Sequence, residues 1–359
     1  MTDDRNVAER LDEGVEALMA DRELPASLAP DLTALLQVAA DLRDLPLAAF
    51  KARLKSELHA GAAPAHGPAL QTAADIHGRL AALAALSGSE RLVAHDLDAA
   101  LADLPELAMR FVAPLDRWTV VVSGYATDTP LWERHPAGDE LLHVLEGGLD
   151  VTTLTATGLV HATVPAGALF VCRRGLWHWA RPRGHTAVLS LTPGEGTGHF
   201  QGRDPRDQRD LPLDVPADTP PAAGSHADLW DLPAARAGLE PLAITRDTTE
   251  AEANGAIREL GWLEDRLVGV MRFSGATPWE RHPEGDELLH VLDGAIDVTV
   301  LAEAGPVHVS VAAGGVFVCP RGLWHRQRPK TAAATLFFAT PTATTEASWA
   351  DDPRVERSE

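Results

Sequence analysis

Apolar and polar positions change their rhythm once along this chain, and the change divides it. Over the first hundred or so residues the spacing is helical. Leu32, Leu35, Leu36, Ala39 and Leu42 recur on one face after Asp31, which can cap a helix behind Pro30, and Pro46 interrupts the pattern. Leu47, Phe50, Leu54 and Leu58 predict a second helix ending near Gly61, so the two would form a hairpin. Weaker helical spacing continues through Leu70, Ile76, Leu80 and Leu83, and again through Leu92, Leu97, Leu101 and Leu104. From about Trp118 the pattern becomes strand-like, with short alternations of Val, Thr and Leu broken by Gly and Pro. Between Gly194 and Ser225 a run rich in Pro, Asp, Gly and Arg cannot build a core and reads as a linker, and the polar residues after Pro341 read as a tail.

The strand-like part is written twice. Trp132 to Gly147 reads WERHPAGDELLHVLEG, and Trp279 to Gly294 reads WERHPEGDELLHVLDG, identical at fourteen of sixteen positions with an offset of 147. FVCRRGLWH, Phe170 to His178, answers FVCPRGLWH, Phe317 to His325, at the same offset. Such a duplication argues for two copies of one domain, and short strands punctuated by Gly and Pro point to a β-sandwich or jelly-roll barrel.

Each copy carries the same cluster of metal-ligating residue types. Glu133 and His135 lie two apart and so share one face of a strand, the turn from Pro136 to Asp139 brings back Glu140, and His178 follows on a later strand. Glu280, His282, Glu287 and His325 repeat the set. Imidazole and carboxylate together hold divalent Fe, Mn, Zn or Ni, and a second carboxylate favours the harder ions and lowers the potential of a redox metal.

These motifs resemble those of the cupin superfamily: H-x-H-x(3,4)-E-x6-G, then a Pro/Gly turn ending in His. Glu140 is followed by six residues and Gly147, His135 precedes Glu140 with four between, and Arg174 to His178 closes the second motif; the second copy matches likewise. The departure is at the first histidine of H-x-H, where Glu133 and Glu280 stand as either ligands or bases. The resemblance implies a mainly β bicupin, two tandem jelly-roll barrels behind an α-helical N-terminal region. The divisions are 1–112 for the helical region, 113–196 for the first cupin domain, 197–228 for the linker, 229–343 for the second domain and 344–359 for the tail.

His143 and His290 are an odd number of residues beyond the glutamates, so alternation turns them to the opposite face, in a packing or edge role. His161 and His308 read as structural. Trp177 and Trp324, next to the last ligand, are candidates for an apolar substrate rim or for core or interface packing, and Arg174 and Arg321 for binding a substrate carboxylate or for solvated places in their turns. Cys172 and Cys319 repeat in register and read as buried strand thiols rather than a disulfide.

Composition narrows the partners. A formal charge of −21 repels phosphate backbones and anionic membrane surfaces, and no apolar run approaches membrane-spanning length. The acidic N-terminus lacks the pattern of a secretory signal, which places the chain in the cytoplasm. Small-molecule binding remains, with a protein partner through the N-terminal helices and homo-oligomerisation as further expectations.

Three functions compete. The first is a metal-dependent, dioxygenase-like oxidoreductase acting on a small organic molecule. The second is a regulatory cupin that senses a metabolite or metal, similar in layout to some anti-sigma factors but without their N-terminal cysteines. The third is a structural bicupin that holds no metal.

Overall fold

The computed structural model describes residues 86, 88–105, 108–126, 131–194, 196–202, 204–207, 228–342 and 345–355. The helices expected between Asp31 and Leu83, and any partner role for them, lie outside the described residues. The helical spacing through Leu92 to Leu104 yields only the short helix Leu97–Leu101. Asp96 starts it by accepting a hydrogen bond from the Ala99 backbone N–H at 2.9 Å, and the residues just before it are extended instead.

Two jelly-roll barrels follow, ten strands each. The first is β1 (Met109–Leu115), β2 (Trp118–Tyr125), β3 (Leu131–Arg134), β4 (Glu140–Glu146), β5 (Gly148–Thr155), β6 (Gly158–Pro165), β7 (Leu169–Cys172), β8 (Trp177–Pro182), β9 (Thr186–Pro193) and β10 (Gly198–Gln201). The second is β11 (Arg258–Leu263), β12 (Arg266–Ser274), β13 (Trp279–Arg281), β14 (Glu287–Asp293), β15 (Ala295–Ala302), β16 (Gly305–Ala312), β17 (Gly315–Cys319), β18 (His325–Pro329), β19 (Ala334–Pro341) and β20 (Glu346–Ser348). In each barrel one sheet runs β7-β4-β9-β2-β1 or its counterpart β17-β14-β19-β12-β11, and the facing sheet runs β10-β3-β8-β5-β6 or β20-β13-β18-β15-β16. β10 and β20 come from stretches that read from sequence as linker and tail. Each is too short and too polar to announce itself, and is held by pairing with β3 or β13.

The alternation read from sequence is visible in β6 and β16, whose side chains alternate between half-buried and exposed. The motif glycines have a steric cause. Gly147 and Gly294 take φ of +77° and +80°, and a Cβ on Gly147 would lie 2.2 Å from the His185 carbonyl oxygen.

Each barrel has its own interior, around Val144, Leu149, Val151 and Phe170 in the first and around Phe273, Ile296, Val298 and Phe317 in the second. A third core joins them, built from the outward faces of the two larger sheets and containing Leu141, Leu189 and Leu191 with Leu288, Val268 and Phe337. His143 and His290 lie in this contact, buried and facing each other with ring centroids 5.5 Å apart, and both also pack on Phe337. Burial keeps them neutral, lowering their pKa values to about 4 and about 3. Their packing role, read from strand alternation, is what the fold shows.

The barrels also exchange edges. His95–Asp96, which precedes the first barrel, pairs with β17 of the second. Leu229–Trp230, which precedes the second barrel, pairs with β7 of the first. Each short strand leads through an Asp cap, Asp96 or Asp231, into a five-residue helix whose Leu97 or Leu232 enters the shared core. The β1–β2 and β11–β12 hairpin tips are exchanged as well. Asp116 and Glu264 adopt φ of 51° and 54°, unusual for non-glycine residues. Glu264 Oε1 accepts the Asp139 backbone N–H at 2.9 Å, and Asp116 Oδ2 accepts that of Asp286 at 2.8 Å. Each tip therefore holds the residue immediately before the other barrel's buried glutamate.

Candidate metal centre

Four side chains converge inside each barrel. Glu133 on β3 stands directly opposite His178 on β8, as Glu280 stands opposite His325. β3 ends at Arg134, so His135 begins the turn that follows, still on the inward side. Glu140 opens β4 on the facing sheet, so the cluster bridges the two layers of the barrel. One ligand atom from each of Glu133, His135, Glu140 and His178 lies within 4.8 Å of all the others, and the same holds for Glu280, His282, Glu287 and His325.

In the first barrel Glu140 Oε2 is 3.1 Å from His178 Nε2 and 3.4 Å from His135 Nε2, and the nearer Glu133 oxygen is 4.0 Å from His135 Nε2. In the second, Glu287 is 2.9 Å from His325 Nε2 and 3.6 Å from His282 Nε2. The other side of each group is anchored. His178 Nδ1 and His325 Nδ1 each lie 3.2 Å from a backbone carbonyl, Leu176 or Leu323. Thr197 and Thr345 hydroxyls lie 3.1 and 3.3 Å from His135 Nδ1 and His282 Nδ1. Thr192 donates at 2.6 Å to Glu140 Oε1, the oxygen that neither histidine faces, and Thr340 donates at 2.5 Å to Glu287 Oε1, the oxygen nearer His282.

These anchors test whether a cation fits. A carbonyl only accepts, so His178 and His325 must carry their proton on Nδ1 when neutral. Their Nε2 lone pairs then face a buried carboxylate oxygen, a repulsive contact that a cation between them turns attractive. His135 Nε2 and His282 Nε2 are buried without a hydrogen-bond partner, both aimed at the same centre. A divalent metal ion satisfies all of these atoms at once. In the metal-free protein protons stand in for it. Burial, the largest influence, would raise the pKa of Glu140 and Glu287, but the paired histidines outweigh it and hold both well below the usual carboxylate range. His135 is raised: burial opposes its charge, and Glu140 and Glu133 more than compensate.

Comparison with known proteins identifies the family. Residues 269–339 match the Cupin domain family. An uncharacterised Bacillus subtilis protein, YdbB, is 32% identical over 87 residues, 24% of this chain and 72% of its own length. The chain belongs to the cupin superfamily. A germin-like protein of Arabidopsis thaliana, subfamily 2 member 4, is 30% identical over 131 residues, 29% of this chain, and the chain spans only 60% of that relative. Among solved structures, Lactobacillus farciminis oxalate decarboxylase in its formate complex covers 73% of this chain and 89% of its own, at 14% identity and a TM-score of 0.46.

This bicupin's two centres differ around their shared ligand set. A cavity of about 260 Å³ opens onto the first quartet, lined also by Thr119, Ser123, Tyr125 and Ser190. Strand register gives the counterparts of Thr119, Ser123 and Ser190 in the second barrel as Leu267, Met271 and Phe338. Phe338 is buried in that barrel's core, with Leu267 and Met271 packed against the same cluster. Its ring lies over Gly269, where a Cβ would come within 2.9 Å of it.

The fourth carboxylates differ too. His199 on β10 places Nε2 3.5 Å from Glu133 Oε1. Burial would raise the Glu133 pKa, but the His199 hydrogen bond, with His135 and His178, lowers it overall. The residue paired with Glu280 at that register is Ala347. Burial and then the charge of Glu287 raise Glu280 to about 7, against the pull of His325 and His282.

Two groups of sequence candidates take other places. Trp177 packs behind the first centre with Trp132 and Leu154, and Trp324 behind the second with Trp279 and Leu301. Trp177 and Arg174 are absent from the cavity lining. The Arg174 and Arg321 backbone N–H groups each donate at 2.7 Å to Asp139 or Asp286, which fastens the turn carrying the last histidine to the glutamate strand. Cys172 and Cys319 are buried free thiols, and burial pushes Cys319 up to about 11. Sequence reasoning missed His199, Thr192 and Thr197. A signal for Thr192 existed, because Thr192 and Thr340 belong to the repeat once one residue is inserted between β8 and β9.

Proposed function

We propose that this bicupin is a cytoplasmic metal-dependent enzyme, oxygenase in type, whose chemistry on a small organic molecule takes place in the first barrel. Glu133, His135, Glu140 and His178 hold its ion, while Glu280, His282, Glu287 and His325 hold a second ion in a mainly structural site. The barrel β1–β10, which extends past both ends of the division 113–196, is then the reactive unit, and the barrel β11–β20, which extends past residue 343, the supporting one. The observation that carries this reading is the asymmetry of access: the cavity reaches the first quartet, and Phe338 fills the corresponding space in the second.

A bound divalent ion supplies Lewis acidity and, for a redox metal, electron transfer. The protein's own groups do the rest. Thr192 fixes Glu140, and Thr197 and the Leu176 carbonyl fix the rings of His135 and His178, so the ligand set is oriented before substrate arrives. Glu133 reaches the cavity and is kept ionised, so it can accept a proton from a substrate hydroxyl, with His199 behind it. Met109, Phe111 and Val121 add apolar surface to the cavity.

Turnover of candidate substrates by Fe(II)-loaded protein, followed with an oxygen electrode and repeated anaerobically, tests the oxygenase type. Consumption of dioxygen in proportion to product is expected, and turnover that proceeds equally well without oxygen removes the label.

A further inference from the structure

Resting on the reading of the first barrel as the substrate site, we infer that this site selects uncharged, hydroxyl- or amide-bearing organic molecules of about one ring's size and discriminates against carboxylates. Three independent features lead there.

The first is the lining. Among the described residues, no lysine or arginine borders the cavity, so no fixed positive charge waits for an anion. Arg174, the residue suited by type to a carboxylate, has no place in that lining.

The second is the charge of the centre itself. A divalent ion held by two carboxylates and two neutral imidazoles has no net charge, so it attracts an anionic ligand far less than an ion held by imidazoles alone. The whole chain adds to this, because its formal charge of −21 raises the cost of bringing an anion to the mouth.

The third is what the cavity offers instead. Thr119, Ser123, Tyr125 and Ser190 bring hydroxyls to the cavity from β2 and β9, with Tyr125, the chain's single tyrosine, donating to Ser123 at 3.0 Å. Hydroxyls donate and accept, so they pair with neutral oxygen and nitrogen groups without needing a charge. Between them Val121, Phe111 and Met109 supply an apolar surface for a ring. A cavity of about 260 Å³ is near the small end of ligand pockets.

The test uses an isosteric pair that differs in charge, 4-hydroxybenzamide and 4-hydroxybenzoate, titrated calorimetrically at pH 7.5 into full-length protein loaded with redox-inert zinc. Binding of the amide at least tenfold tighter than the benzoate is expected, as is its loss in Ser190→Phe at unchanged zinc content. Thr119→Leu, which copies the second barrel at another position, gives the same reading should Ser190→Phe fold poorly. Failure of the amide to bind, or benzoate binding equally well or better, overturns the inference. If benzoate is preferred but is displaced by both substitutions, the first barrel remains the binding site and only the ligand class falls. Binding of either compound that ignores both substitutions removes the assignment of the first barrel as well.

Discussion

The two barrels share a quartet, its anchors and their strand order, yet differ in what stands beside it: a cavity of about 260 Å³ in the first, and packed apolar side chains at the corresponding wall positions in the second. In the second, Phe338, Leu267 and Met271 occupy positions that Ser190, Thr119 and Ser123 hold in the first. A polar residue on an inner wall forgoes stabilisation, because each buried CH₂ contributes about 0.8 kcal/mol and a hydroxyl needs a partner. Polar side chains replace core packing on this part of the first barrel's wall, and apolar ones keep it in the second. The fourth carboxylate follows the same division: Glu133 faces the cavity with His199 beside it, while Glu280 lies opposite Ala347 in the sheet and tends toward its neutral form.

The comparison is most strongly challenged by removing the ligands barrel by barrel. His135→Ala with His178→Ala is expected to lower metal content from two ions per chain to one and to reduce turnover by at least on the order of 100-fold. His282→Ala with His325→Ala should lower metal content equally and leave most of the turnover. Elemental analysis of untagged protein beside product formation reads both, and equal loss of activity in the two double variants would end the division of labour.

A smaller effect concerns packing. Phe338→Ala empties a filled core and should cost about 3–5 kcal/mol in urea unfolding, whereas Ser190→Ala beside an existing cavity should stay within about 1 kcal/mol. Similar costs at the two positions would mean that the barrels are packed alike.

The smallest difference is in proton release. Glu280, at about 7 in the metal-free protein, must lose its proton before it can ligate, so as pH falls below 7 the second site's metal affinity should fall about tenfold per unit more steeply than the first site's. Glu133 is shifted downward and adds no such dependence near neutrality. Chelator competition between pH 5.5 and 8.5, on double variants that retain one site each, measures the two slopes. His199→Ala should bring the first slope toward the second, and parallel slopes in the parent sites would contradict the role given to His199.

How much of this was legible in advance varies with the distance over which each feature is encoded. The quartets are dense local motifs: Glu133, His135 and Glu140 lie within eight residues, and His178 repeats in register with His325. Strand alternation alone put His143 and His290 on the opposite face from the glutamates, where they do lie. His199 was not legible, because nothing in the polar stretch after Pro193 indicates that Gly198–Gln201 will return to pair with β3. For Trp177 and Arg174 the sequence left two roles open for a related reason: adjacency to His178 in sequence says nothing about which side of the strand or turn faces the cavity.

From the amino acids alone come the duplicated barrel, the residues of its two quartets and the glycines that turn its strands, since each depends on short-range spacing and on side-chain chemistry that does not need a partner. The exchange of His95–Asp96 and Leu229–Trp230 between barrels, and the hairpin tips of Asp116 and Glu264 gripping the opposite motif, were settled only in three dimensions. So was the open space beside the first quartet. Edge pairing, interlocking and cavity volume are properties of surfaces that meet after folding, and a serine or a phenylalanine acquires its meaning from what stands across from it.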